Sequence, residues 1–309
     1  MDTIVFVDGS KSEHVQRGLD WLCEQLRVEG IQARWCARVE EAPEGSILLV
    51  HDPVNVDKIP EGCRLLGQRC LDRRERLVLA ERCGLAVPRW CALSSPDDIP
   101  ALFDQWNVEY LLYKADWSYS RQGIKLLSRQ SWQPFNNFNP AADVFMEILD
   151  GKPDTYKVDF FYDQPIACRH LFTRSVFDRK FYKGFTQPSR LGDIPPIEEG
   201  LKVLGKTLLH YGEGLSGADV MLDQTGRPWI IELNTSSVGR EATWMRWPEA
   251  YLGAYAEGIR RWVDAGSPAT YCRGMAPDAP LLDGRSGGGE QHAGLMAHES
   301  IEGDGSAYA

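Results

Sequence analysis

The stretch GADVMLDQTGRPWIIELNTSSVGRE, residues 217–241, sets the hardest constraint on how this chain folds. Two apolar runs flank a turn-rich middle, the pattern of a β-hairpin. Each run carries one acid among residues that want burial: Asp219 beside Val220 and Met221, and Glu232 beside Ile231 and Leu233. Side chains alternate faces along a strand, so Glu232 and Asn234 share a face. A turn with an even number of residues, as DQTG or DQTGRP would make, brings Asp219 onto that face too. Two carboxylates and an amide oxygen then converge in a low-dielectric setting, where uncompensated acids repel and one takes up a proton. A hard divalent cation removes the conflict. Mg2+ accepts such oxygens at about 2.1 Å and completes its octahedron with water or phosphate oxygens. The bland alternative is a pair of acids on a solvent-facing sheet rim.

The rest of the chain narrows the setting. Its 309 residues can bury a substantial core in two or three compact units. The net charge of −10 disfavours nucleic acid as a bulk partner. Cysteines at 23, 36, 63, 70, 83, 91, 168 and 272 form no C-x-x-C pair, and the histidines show no zinc spacing. Scattered thiols of this kind read as small core residues in a reduced, cytoplasmic protein. The N-terminus MDTIVFVDGS lacks the features of a signal peptide, and no apolar run approaches the ~20 residues of a membrane span.

Periodicity predicts mixed α/β and α+β architecture. TIVFV (3–7) reads as a buried strand, with Ser10 and Glu13 as a capping box for the helix that follows, its apolar face Val15, Leu19, Leu22 and Leu26. ARWCARV and SILLV read as further strands, giving a small parallel α/β domain over 1–70. Asp72 with Glu75 opens a second helix, and Ser95 with Pro96 a third. VEYLLYKADWSYSRQGIKLL (108–127) reads as two strands joined by a polar loop, and YKVDFFYDQPIACRHLF as a hairpin turning at Asp-Gln-Pro. Helices over 197–215 and 247–266 bracket the acidic hairpin. From 267 to 309 the composition shifts to Gly, Ala and acid, as in a disordered tail.

In this order the motifs resemble the ATP-grasp superfamily, in particular D-alanine–D-alanine ligases and the ligases that add glutamate to a ribosomal protein. The resemblance rests on Asp219 followed by Glu232-x-Asn234, on LDRRERLVLAERCGLAVPRW, on LLYKADWSYSRQGIKLL and on FMEILDGKPDTYKVDFF. It covers about residues 70–265 and implies a two-subdomain ATP-grasp fold over 71–266, split near 146. It implies that Asp219, Glu232 and Asn234 hold magnesium, two ions with Glu232 bridging, or manganese instead. Lys114 and Arg73 would hold ATP phosphates, although Arg73 stands where such ligases usually carry Lys. Ser118 and Ser120 would cover phosphates from a loop that departs from the usual glycine-rich turn. Glu147, Ile148 and Leu149 would receive the adenine, and Asp154 the ribose. One of Arg169, Arg174, Lys180 and Lys183 would supply a further cation, and Ser236, Ser237 and Arg240 would meet a substrate carboxylate.

The implied chemistry is ATP-dependent joining of a carboxylate to an amine through an acyl phosphate, on amino-acid or peptide substrates. Neither nucleic acid nor membrane is expected as a partner; self-association is left open. D-alanine–D-alanine ligases carry an Arg where this chain has Gly217, which argues against a simple D-alanine ligase. Two alternatives use the same nucleotide residues: a small-molecule kinase, which needs a dense basic substrate pocket, and a nucleotide-binding module without turnover.

Overall fold

In a computed structural model, the described residues are 3–51, 54–67, 71–116, 123–133, 138–149, 151–172, 185–189, 197–235 and 248–266. They build three sheets. The first is parallel, in the order β2-β1-β3-β4: Ala33–Cys36 (β2), Ile4–Val7 (β1), Ile47–Val50 (β3) and Arg64–Leu66 (β4). β1 and β3 are buried at every position, as expected of central strands in a sheet covered on both faces. Helix α1 (Glu13–Val28) lays Val15, Leu19, Leu22 and Leu26 against this sheet, and α5 (Pro248–Asp264) joins the same core with Tyr251, Tyr255, Ile259 and Trp262. The Ser10–Glu13 capping box does not form. Helix α1 begins at Glu13 itself, too early for a box, and the Ser10 hydroxyl instead accepts from Ser12 N–H.

The second sheet is antiparallel, in the order β5-β8-β6-β7: Trp90–Cys91 (β5), Val144–Met146 (β8), Tyr110–Lys114 (β6) and Ile124–Ser128 (β7). Helix α3 (Ile99–Trp106) packs on it through Leu102, Phe103 and Trp106. The third sheet carries the acidic hairpin, in the order β11-β10-β9-β12-β13. Its strands are Phe185–Ser189 (β11), Gln164–Phe172 (β10), Gly151–Phe161 (β9), Ser216–Asp223 (β12) and Pro228–Thr235 (β13). The β9–β10 turn falls on Tyr162 and Asp163, shifted back from the expected Asp163-Gln164-Pro165, because Tyr162 takes a positive φ of 55° there and Gln164 already pairs with Phe161. Helices α4 (Ile197–His210) and α2 (Arg73–Arg82) cover one face, with Leu201, Leu204 and Leu208 meeting Val158, Phe160, Val220 and Ile230. The predicted Asp72–Glu75 capping box opens α2.

The acidic hairpin closes on an odd loop, not an even one. Asp223 N–H donates to Arg227 O, enclosing Gln224, Thr225 and Gly226, and Gly226 supplies the positive φ of 87° that such a loop demands. Continued regularly, this register would turn Glu232 into the core. A β-bulge corrects it: Val220 faces Ile230 but Asp219 faces Glu232, and Ile231 has no opposite number. Ile230 and Leu233 therefore both point to the core, while Glu232 and Asn234 join Asp219 on the other face. The expected convergence holds, by a different route.

Buried polar contacts fix the surroundings. Arg76, inside α2, donates to Leu233 O on β13 and to both carboxylate oxygens of Glu213, at 3.0 and 3.2 Å; both residues are buried, and Glu213 also accepts from Leu71 N–H. Asp223 anchors the hairpin loop, accepting from Thr225 N–H, the Thr225 hydroxyl, Arg227 N–H and Trp229 Nε1. Burial pushes the Asp223 carboxyl up, but these donors outweigh it and hold it at about 2, below its ordinary 3.8.

Glu213→Ala leaves a buried guanidinium uncompensated and should destabilise the protein by about 3–5 kcal/mol, read from urea unfolding. Replacing Arg76 and Glu213 together with Met and Leu should cost less than either single change. The depressed Asp223 carboxyl contributes stability that is complete above pH 3.8 and lost as pH falls through about 2. Asp223→Asn should flatten the acid limb of the stability–pH curve in that window; an unchanged limb would remove Asp223 from the acid response.

Candidate functional site

The site face of the third sheet is a small grid. In one row Lys157 (β9), Asp219 (β12) and Glu232 (β13) lie side by side; in the next, Asp159, Gly217 and Asn234. Two acids directly opposite each other on neighbouring strands repel unless cations attend them. Three do. Lys157 Nζ lies 3.6 Å from Asp219 Oδ1. Arg73 Nη2 lies 3.4 Å from Glu232 Oε1. Lys114 Nζ donates at 2.6 Å to the carbonyl of Ile231, the bulge residue beside Glu232.

Local sequence explains each placement. Arg73 is the first residue of α2, where the capping box fixes the helix start. Its N–H donates to Asp116 Oδ1 at 2.9 Å and its Nε to Ala115 O at 3.2 Å, tying the helix end to the exit of β6. Asp116 is held in turn by Asp143, a buried acid that accepts from Asp116 N–H, the Tyr113 hydroxyl and Asn139 N–H. Burial, reinforced by Asp143, pushes the Tyr113 phenol up. Lys114 ends β6 and is only 4% exposed. Burial draws its ammonium down to about 8, with Glu232 and Asp219 pulling up and Arg73 pushing down. A lysine so poorly solvated is primed for an anionic partner.

The predicted residues separate into three sets. Arg73, Lys114, Asp219, Glu232 and Asn234 come together as expected. Glu147, Ile148 and Leu149 lie on the link from β8 to β9, which joins the second sheet to the third. The Glu147 carboxylate accepts from Arg89 N–H at 3.0 Å and meets Arg89 Nε at 3.3 Å; Ile148 is exposed. Asp154 pairs with Phe172 along β9, but its side chain lies outside the described residues, as do the side chain of Arg169 and all of Ser118, Ser120, Arg174, Lys180, Lys183, Ser236, Ser237 and Arg240. So does the tail from 267 to 309.

Sequence reasoning missed Lys157 and Asp159. Both stand in YKVDFF, a strand otherwise made of core residues, and both are buried. Their signal was available: charged residues at alternate positions of a buried strand mark a polar face, as Asp219 and Glu232 do in theirs. Also missed was the Arg76–Glu213 pair, whose partners are too far apart in sequence to be matched by pattern.

The donor set suits a hard divalent cation: two carboxylates in cross-strand register, an amide next along the same face, and partial exposure at all three. Among the described residues no three His, Cys, Asp or Glu side chains gather as a metal cluster. No helix among the described residues is long and apolar enough to cross a membrane.

No family model matches the sequence, and no curated protein matches it. Solved structures do. The ATP-grasp ligase PsnB complexed with a minimal precursor is 16% identical, with a TM-score of 0.56 over 84% of this chain and 99% of that one. The macrocyclase MdnC from Microcystis aeruginosa MRC, bound with precursor peptide MdnA, is 10% identical, with a TM-score of 0.54 over 84% of this chain and 99% of that one. The D-cycloserine synthetase DcsG is 14% identical, with a TM-score of 0.51 over 82% and 99%. Agreement over nearly the whole of each neighbour, with strands, hairpin and cations in the order the motifs predict, settles the architecture: this chain has the ATP-grasp fold.

Proposed function

We propose that the protein is an ATP-dependent ligase that joins a carboxylate to an amine on amino-acid or peptide substrates. The observation that carries the proposal is the pairing of Asp219 with Glu232 and of Gly217 with Asn234, beside Lys114 and Arg73. Neighbours of the same fold are described as ligases, one complexed with precursor, Mg and ADP and another bound to a precursor peptide, which supports a peptide or amino-acid substrate.

In this reading, Lys114 and Arg73 would hold phosphate oxygens, and Asp219, Glu232 and Asn234 would hold magnesium, as two ions. Magnesium there would offset charge as the substrate carboxylate meets the γ-phosphate. The carboxylate oxygen attacks phosphorus and ADP leaves; the amine nitrogen then attacks the acyl carbon, gives up a proton and expels phosphate. Lys157, beside Asp219, adds positive charge where the oxyanion develops. No side-chain nucleophile is required, so the protein contributes position and electrostatics. The adenine ring would rest on the link from β8 to β9, by Ile148 and Leu149, and Glu147 keeps lone pairs beyond those Arg89 uses. In the same reading, residues 1–70 would be the N-terminal α/β domain, with ATP-grasp subdomains at 71–146 and 147–266. All cysteines among the described residues are free thiols, and burial pushes Cys23 and Cys91 up to about 12, which suits a reducing, cytoplasmic setting.

Incubation with ATP, magnesium and pooled amino acids and peptides should release phosphate and ADP only when a carboxylate and an amine are both present. Glu232→Gln and Lys114→Met should each lower turnover by about 10²–10³. A stable phosphorylated small molecule would point to a kinase instead, and full activity in Glu232→Gln would remove the metal assignment.

A further inference from the structure

Arg73 has two demands on it. Its Nε and main-chain N–H are fixed by Ala115 O and Asp116, so the guanidinium is not free to wander. Its Nη2 reaches Glu232 at 3.4 Å, long for a charge-assisted hydrogen bond, which runs at about 2.7–2.9 Å. The side chains are only 10% and 18% exposed, so water screens the pair poorly. The contact is thus strong enough to matter electrostatically and loose enough to exchange.

The charges around it say what it exchanges with. Among the described residues, Arg73, Lys114 and Lys157 attend two carboxylates, Asp219 and Glu232. A dication arriving alone would sit beside Arg73, Lys114 and Lys157 and would have to share Glu232 with a guanidinium. A triphosphate or diphosphate changes both conditions. It brings several negative charges, and it offers the Arg73 fork two oxygens at once, a better partner than one distant carboxylate oxygen.

Resting on the magnesium–nucleotide reading above, we infer that Arg73 and divalent metal compete for Glu232, and that nucleotide phosphate decides the competition by drawing the guanidinium away. Metal and nucleotide then bind as a coupled pair. By linkage, nucleotide tightens metal by the same factor that metal tightens nucleotide. The contact given up on binding is one that links α2 to β13.

The test uses full-length protein, Mn2+ followed by the EPR signal of the free ion, and ADP. Wild type should bind Mn2+ weakly by itself and about tenfold or more tightly with ADP. Arg73→Gln should tighten Mn2+ binding in the absence of ADP by about tenfold and shrink the ADP enhancement. General loss of positive charge would also favour Mn2+, so a cycle separates the two explanations. ADP affinity is measured in EDTA for wild type, Glu232→Gln, Arg73→Gln and the double variant. Exchange of partners requires Glu232→Gln to strengthen ADP binding several-fold in wild type but by less than about twofold in Arg73→Gln. Equal effects in both backgrounds would overturn the inference, as would unchanged Mn2+ affinity in Arg73→Gln. If Arg73→Gln is unstable, Arg73→Lys replaces it; an ammonium lacks the fork that serves Ala115 O and Glu232 from two separate nitrogens, and the same changes are expected at smaller size. Absence of Mn2+ binding in wild type with ADP, or full binding in Glu232→Gln, would instead defeat the metal assignment on which the inference rests.

Discussion

Two carboxylates facing each other across neighbouring strands are the fact that organises this molecule. Asp219 and Glu232 occupy directly opposed positions of an antiparallel pair, where like charges repel and water is scarce. The fold answers by bringing cations from three separate elements: the start of α2, the end of β6 and the middle of β9. Arg73 and Lys114 reach the hairpin from outside the third sheet. The acids therefore draw separate parts of the fold together, and the sheet interface is electrostatic as much as apolar.

Holding cations in place at such a seam requires rigid support, and the buried polar groups provide it. The Arg76–Glu213 pair fixes α2 against β13 through Leu233 O, one residue from Glu232. Asp143 collects donors from Tyr113, Asp116 and Asn139, and through Asp116 it fixes the N–H of Arg73. Buried ionic groups of this kind add little net stability against apolar alternatives, since desolvation offsets their attraction. Their value here is positional. Each removes a degree of freedom from a side chain one or two bonds away from the acids.

The sequence was most legible where chemistry contradicts periodicity. Acids in apolar strands flagged Asp219, Glu232 and the hairpin, whereas Lys114 came from the resemblance of its motif. Caps were readable when the helix start was unambiguous, as at Asp72, and misread at Ser10, where Ser12 competes and the helix starts at Glu13. The bulge at Ile231 was not legible at all. A bulge inserts one residue without altering composition, yet it decides which face Glu232 takes. The parity argument reached the correct face with the wrong loop because the odd loop and the bulge cancel. Short strands such as β4 and β11 escaped because so few residues carry no periodicity, and Lys157 and Asp159 escaped because the hairpin reading of YKVDFF rests on its apolar residues and not on the alternation of these two charges.

Gly217 shows how the same charge requirement can be met from a different strand. The resembled D-alanine ligases place an arginine at this position. Here a Cβ on Gly217 would come within 3.3 Å of Asp159 Oδ1 and 3.5 Å of Lys157 Cε, so the space above the glycine already belongs to its neighbours on β9. An arginine there would have to displace a buried carboxylate and a lysine stem. Lys157, in register with Asp219, already sets a positive charge beside that space, one strand away. The positive charge beside Asp219 therefore comes from β9, next to the buried carboxylate of Asp159.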